Sequence, residues 1–105
     1  MDTEEFALRH LDDFKAKMRI THDGEDSHLL RMLQSSVRVI AMLVGAATYD
    51  DSLVELTFER AMCDYNDALD EFQTLYGDEI ENLYFANLVM AHEEVGNVER
   101  EKLQA

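Results

Sequence analysis

The residues whose types and spacing come nearest to a metal site lie between positions 23 and 34. Glu25 and His28 form a Glu-x-x-His pair, which places a carboxylate and an imidazole on one face of a helix. Di-iron bundles need two such pairs and two further glutamates, and this sequence contains one pair. Asp23 begins a stretch like a calcium loop, but His28 and Gln34 stand where that loop needs glycine and glutamate. We therefore expect neither a metal nor another cofactor.

The single cysteine, Cys63, is the best candidate for a nucleophile, with a histidine as its base. It lies in the middle of a predicted helix beside Met62, where a cysteine is usually a small packing residue. Neighbouring acidic residues such as Asp70 and Glu71 are abundant, but acid–base catalysis needs one carboxyl desolvated in a pocket. We expect no enzyme.

The composition that surrounds these residues is typical of an all-α protein. The chain has 105 residues, 47% of them apolar, with no proline and four glycines. A sheet protein normally has more turn residues and more β-branched residues. The sequence predicts a small bundle of three to four amphipathic helices in one domain at 1–91, followed by a polar C-terminal segment at 92–105.

The first half of the chain predicts two helices joined by an acidic loop. The first covers 11–19, where acidic residues precede basic ones, as the helix dipole favours. Thr3 is a candidate cap for a short helix before it. The second covers 27–44, with Asp23 or Asp26 as its cap and the glycine that follows it as its terminator.

A third predicted helix is long. Asp51 or Ser52 is its predicted cap, and its apolar stripe continues to Tyr76. Gly77 then breaks or kinks it. The stripe resumes at Ile80 in a fourth helix.

That fourth helix loses its pattern after Met90. Tyr84 and Leu88 belong to its stripe, but Tyr84 and Phe85 cannot share one face, so we expect one of the two rings to be exposed for a partner. The segment at 92–105 is expected to be a frayed helix or a tail that becomes ordered on a partner.

The charge is large and unevenly distributed. Residues 1–48 carry eight acidic and six basic residues, net −2, and residues 49–105 carry fifteen acidic and three basic residues, net −12, which together give −14. Positions 61–99 contain no lysine or arginine. Phosphate binding depends on such residues, so we expect no tight or sequence-specific nucleic-acid binding and no attraction to an anionic membrane. The charge favours partners with basic surfaces.

Two stretches resemble the head–tail connector proteins of tailed bacteriophages. Residues 11–30 match the N-terminal pattern of these adaptors, with a Leu-acid-acid-apolar-Lys start, an Arg-Ile pair and an acidic loop entering a Leu-Leu helix. Residues 58–72 are similar to a later helix, in which a Glu-Arg pair precedes Tyr-Asn-Asp-Ala-Leu and an aromatic residue. The resemblance implies a structural virion protein, made in the host bacterial cytoplasm. It would form a ring, commonly a dodecamer, between the portal and the stopper or tail-completion protein.

The resemblance also implies roles for particular residues. Arg31 and Arg38 are candidates for contacts with the acidic half of the next subunit. Val95, Val98 and Leu103 are the candidates for docking on the portal. The candidates for the DNA channel are the acidic residues Asp70, Glu71, Asp78 and Glu79. An acidic lining would keep DNA from adhering as it passes, since like charges repel.

The same charge permits an alternative function of a different class. A small acidic helical protein can act as an inhibitor or DNA mimic that occupies a basic cleft on another protein. That hypothesis predicts salt-sensitive binding by a monomer or dimer, whereas the adaptor hypothesis predicts a ring.

Overall fold

A computed structural model describes residues 2–45 and 50–104, with side chains described up to position 91. Helices account for nearly all of this described part of the chain, which contains no strand. They are α1 Thr3–Met18, α2 Asp26–Val44, α3 Asp51–Tyr65 and α4 Leu69–Gln104. The prediction of a small all-α bundle is confirmed.

Short acidic side chains begin α1 and α3. Asp2 accepts a hydrogen bond from the backbone N–H of Glu5 at 3.1 Å, and Asp50 accepts one from Leu53 at 2.8 Å. Each bond satisfies an amide that has no partner within the first turn of its helix. The sequence analysis placed both caps one or two residues too late, and α1 is one helix from Thr3 onwards.

The ends of α2 are set by different means. Gly45 ends the helix with a left-handed φ of 67°, as predicted, because glycine adopts this conformation without steric cost. Glu25 stands at the start without a capping side-chain bond. The predicted caps, Asp23 and Asp26, were wrong: both carboxylates instead accept hydrogen bonds from Lys15, at 2.9 and 2.8 Å.

The third helix ends eleven residues earlier than its stripe predicts, at Tyr65. The chain turns at Asn66 and at Asp67, which has a positive φ of 55°, a conformation that asparagine and aspartate tolerate better than most residues. The Asn66 side chain donates to the carbonyl of Met62 at 2.8 Å and so satisfies part of the helix end. Gly77 does not break the helix but lies inside α4.

Consecutive helices run antiparallel. Lys15 near the end of α1 binds Asp26 at the start of α2, and Arg60 late in α3 donates to Ser36 in the middle of α2. Glu59 late in α3 accepts from Tyr76, one-fifth of the way along α4. It follows that α2 and α4 run in the same direction.

The core consists of two clusters that share α2 and α3. One joins α1 to α2 and α3 and buries Ala7, Phe14, Leu29, Met32, Leu33, Phe58 and Ala61. The other brings in α4 and buries Phe6, Val37, Ile40, Val44, Leu53, Leu56, Phe72 and Ile80. The second cluster therefore sets the position of α4 on the body formed by α1, α2 and α3.

Candidate interaction surface

One line of residues fixes α4 to the body. Phe72 and Ile80 are buried, and Asn87 continues the same line about two turns further on. The Asn87 side-chain amide donates to the carbonyl of Val44 at 2.6 Å, so it caps the end of α2. This bond places the end of α2 beside the middle of α4.

A bridge through Glu59 also holds α4 to the body, on the same side of the helix. One carboxylate oxygen accepts from Lys17 of α1 at 2.8 Å, and the other accepts from the Tyr76 hydroxyl at 3.1 Å. Burial raises the pKa of Tyr76, and the hydrogen bond to Glu59 raises it further. Three helices are thereby joined at one side chain.

Beyond Asn87 the body no longer covers α4. Met90 lies close to the buried line of the helix, about 60° round from Asn87, yet it is 60% exposed. Leu88 and Val89 are also exposed and point in two other directions around the helix. We call residues 84–91 the distal segment. A helix that is apolar on all sides is normally enclosed by protein, and the body does not enclose this one.

The sequence analysis missed most of the distal segment. It assigned Tyr84 and Leu88 to a buried stripe, whereas both are exposed. It expected one exposed ring of Tyr84 and Phe85, and both rings are exposed, with centroids 5.9 Å apart. The signal that was available is the composition of 84–91, in which seven of eight residues are apolar.

The four candidate channel residues are all exposed but do not form one face. Asp70 and Glu79 lie on opposite sides of α4, because each residue turns the helix by about 100°. Glu71 and Asp78 lie two turns apart and nearly on one line. A break at Gly77, as predicted, would have let the Asp70–Glu71 pair and the Asp78–Glu79 pair take independent orientations. An unbroken helix brings Glu71, Asp78 and Glu79 into one sector of about 100° and excludes Asp70.

Arg31 and Arg38 lie on the exposed side of α2, as a contact with another molecule requires. They are two turns apart, and neither makes an ion pair with a residue whose side chain is described. Met42 follows one turn later and is 73% exposed. Together these three side chains form the α2 ridge.

The three residues predicted to dock on the portal, Val95, Val98 and Leu103, have side chains outside the described residues. The helical backbone of α4 covers all three positions without a break at 91.

The candidate metal pair has other partners. The Glu25 carboxylate accepts from the Tyr65 hydroxyl at 2.9 and 3.2 Å, and His28 is exposed. Within 2–45 and 50–91, no three histidine, cysteine or acidic side chains lie close enough to hold a metal ion.

Burial sets the pKa of the cysteine. It raises the pKa of the Cys63 thiol, and the charges of Glu59 and Glu71 raise it further. A raised pKa lowers the fraction of thiolate, the form that acts as a nucleophile.

Comparison of the chain with protein-family models, with curated proteins and with solved structures found no match. No helix in the described part of the chain is long and apolar enough to cross a membrane.

Proposed function

We propose that this protein is a non-catalytic adaptor of the head–tail connector type, which forms a ring beneath a phage portal in the virion. The observation that carries the proposal is the distal segment. It is an exposed helix with apolar side chains on all sides, continuing from a well-packed body. A partner that surrounds the helix would cover those side chains, and a single flat surface would not.

The portal is the proposed partner of residues 86–91 of the distal segment and of the α4 residues that follow them. Val95, Val98 and Leu103 stay in this role as predictions from the sequence. The body of each subunit would contact its neighbours in the ring, with Arg31 and Arg38 facing the next copy. The stopper or tail-completion protein would bind the other end of the ring.

The acidic side of α4 is suited to a channel through which DNA passes. Glu71, Asp78 and Glu79 share one sector of the helix and are exposed. No lysine or arginine lies between positions 61 and 99 to offer DNA a phosphate contact. Repeated in a ring, these carboxylates would repel the DNA backbone and let it slide.

The proposal is tested by sedimenting the chain with the intact portal ring encoded in the same genome, near physiological salt. We expect saturable binding with a ring-like number of copies per portal. Met90→Asp is expected to weaken binding by at least about tenfold, because it puts a charge into a buried apolar contact. Leu75→Asp is the matched control, since Leu75 is on the same helix, is 68% exposed and lies outside the distal segment.

Two outcomes would contradict the proposal. One is no binding to a portal ring shown to be intact. The other is equal binding by the Met90 variant and the wild-type chain. Salt-sensitive binding of a monomer or dimer to a nucleic-acid-binding protein, with no binding to the portal, would support the acidic inhibitor or DNA mimic instead.

A further inference from the structure

The α2 ridge has a fixed order of side chains. Arg31 is followed seven residues later by Arg38 and four residues after that by Met42. All three are exposed and lie within about 40° of one another around the helix. The ridge is therefore a straight line of two cations followed by one apolar side chain.

The outer side of α4 carries a line with the same spacing and two acidic residues. Thr74 is followed seven residues later by Glu81 and four residues after that by Phe85, and Asp70 lies one turn before Thr74. These four side chains are exposed, and we call them the α4 outer line. The last three lie within about 40° of one another around the helix.

The two lines cannot meet within one copy of the chain. The α4 outer line lies about 150° round the helix from Phe72, Ile80 and Asn87, the residues that face the body. Its carboxylates therefore point away from the α2 helix of their own chain. A second copy would have to supply the cations.

We propose that the α2 ridge of one copy packs in parallel against the α4 outer line of a second copy, with Arg38 on Glu81 and Met42 on Phe85. In the same register Arg31 faces Thr74 and lies within one turn of Asp70. The inference rests on the proposed ring and adds to it the two surfaces and their register. The occupant is a second copy because the spacing matches along the line and opposite charges meet where Arg38 faces Glu81.

The helix directions allow this contact to repeat around a ring. Because α2 and α4 run the same way within each copy, rotation about an axis along the helices brings α2 of one copy beside α4 of the next in parallel. Each copy then uses a different surface for each neighbour, which is the arrangement that closes into a ring. The sector of Glu71, Asp78 and Glu79 borders this contact, and its centre lies about 80° round the helix from that of the α4 outer line.

Disulfide cross-linking between two distinguishable chains tests the register. Both chains carry Cys63→Ala; one adds Met42→Cys, and the other, of different mass, adds Phe85→Cys. We expect mixed disulfide dimers at least about tenfold above those from Met42→Cys mixed with Leu75→Cys, because a disulfide needs Cβ atoms about 4 Å apart. Equal yields from the two mixtures, or efficient dimers from either chain alone, would overturn the proposal.

A charge exchange tests the ion pair in the same assay. Arg38→Glu in the Met42→Cys chain is expected to reduce the mixed dimer by at least about tenfold, by placing two like charges opposite each other. Adding Glu81→Arg to the Phe85→Cys chain is expected to restore it. Loss without restoration would contradict the pairing of Arg38 with Glu81.

Portal binding separates failure of this inference from failure of the proposed function. Mixed dimers that fail to form, in a chain that still saturates the portal ring, would overturn the register and leave the adaptor function standing. Mixed dimers that form in a chain without affinity for the portal would support the contact and overturn the adaptor function.

Discussion

The body of the bundle and the distal segment of α4 differ in how their apolar side chains are covered. In the body, Phe14 is fully buried between helices, and its neighbours are joined by ion pairs such as that of Lys15 with Asp26. In the distal segment, Met90 and Val89 are more than half exposed. Both regions are helical, but only the helices of the body are stabilised by tertiary packing on every turn.

The difference shows two ways in which a helix is stabilised. The helices of the body form because each buries an apolar face, which is the main source of helix stability in proteins. The distal segment continues a helix already formed at Phe72 and Ile80, and extension of an existing helix costs much less than nucleation. Its apolar side chains contribute little to folding, and so they remain available for binding.

The largest expected effect separates the two regions directly. Phe14→Ala is expected to lower the free energy of unfolding by about 3–5 kcal/mol, because it leaves a cavity in the body. Met90→Ala is expected to change it by less than about 0.5 kcal/mol, because the Met90 side chain is 60% exposed. Urea unfolding followed by circular dichroism measures both. Similar losses for the two variants would mean that the distal segment is part of the folded core.

A smaller effect is expected where the two regions meet. Asn87→Ala removes the 2.6 Å bond to Val44 and should make local opening of α4 easier by about 1 kcal/mol. Hydrogen exchange of the amides between 84 and 91 should then become about fivefold faster. Asn82→Ala, at an exposed position of the same helix, is the control. If both variants exchange alike, Asn87 does not hold α4 to the body.

Removal of two buried hydroxyls in the body is expected to change its stability in opposite directions. Thr57 is fully buried, and its hydroxyl has no hydrogen-bond partner among the described residues. Thr57→Val should therefore raise stability by about 1 kcal/mol, since it removes an unsatisfied polar group. Ser36→Ala should lower stability by about 1 kcal/mol, because the Ser36 hydroxyl accepts from Arg60 at 3.0 Å. Thermal unfolding of the pair measures the opposite signs, and a loss in both would contradict this assignment.

The smallest expected effect depends on pH. Burial lowers the pKa of His10, whose ring lies against Phe6 and Phe58, below its usual value of 6.5. The unfolded chain thus binds a proton more readily, so stability is present above about pH 6.5 and declines as the pH falls towards the folded-state pKa. His10→Phe should flatten the dependence of Tm on pH between about 7.5 and 5.5. His28→Asn, at an exposed position, should leave it unchanged.

Helical periodicity predicted the fold class because each helix of the body has one buried face. It could not locate the turn at Asn66 and Asp67, because the spacing of Tyr65, Leu69 and Phe72 continues through the turn as if the helix did. The predicted break at Gly77 failed for the converse reason. A single glycine inside a helix costs only about 1 kcal/mol, and the buried side chains on either side of it outweigh that.

The candidate surface was predicted in part. The two predicted contact residues, Arg31 and Arg38, are exposed, on the side of α2 opposite its buried residues. The exposure of Leu88 did not follow from any stripe, because the periodicity of α4 does not reveal where α2 ends beside it. That boundary depends on the bond between Asn87 and Val44, residues 43 positions apart in the sequence.

The helix α4 runs without a break from its acidic part through the distal segment, and this has a mechanical consequence. The hydrogen bond from Asn87 to Val44 fixes α4 to the body at that residue, and Gln104 lies about 25 Å further along the same helix. A tilt of α4 by about 10° about Asn87 would move Gln104 sideways by about 4 Å. A force applied by a partner near Gln104 would therefore also act on the hydrogen bond between Tyr76 and Glu59, near the other end of the helix. In a ring, each subunit would transmit force in this way along its own α4.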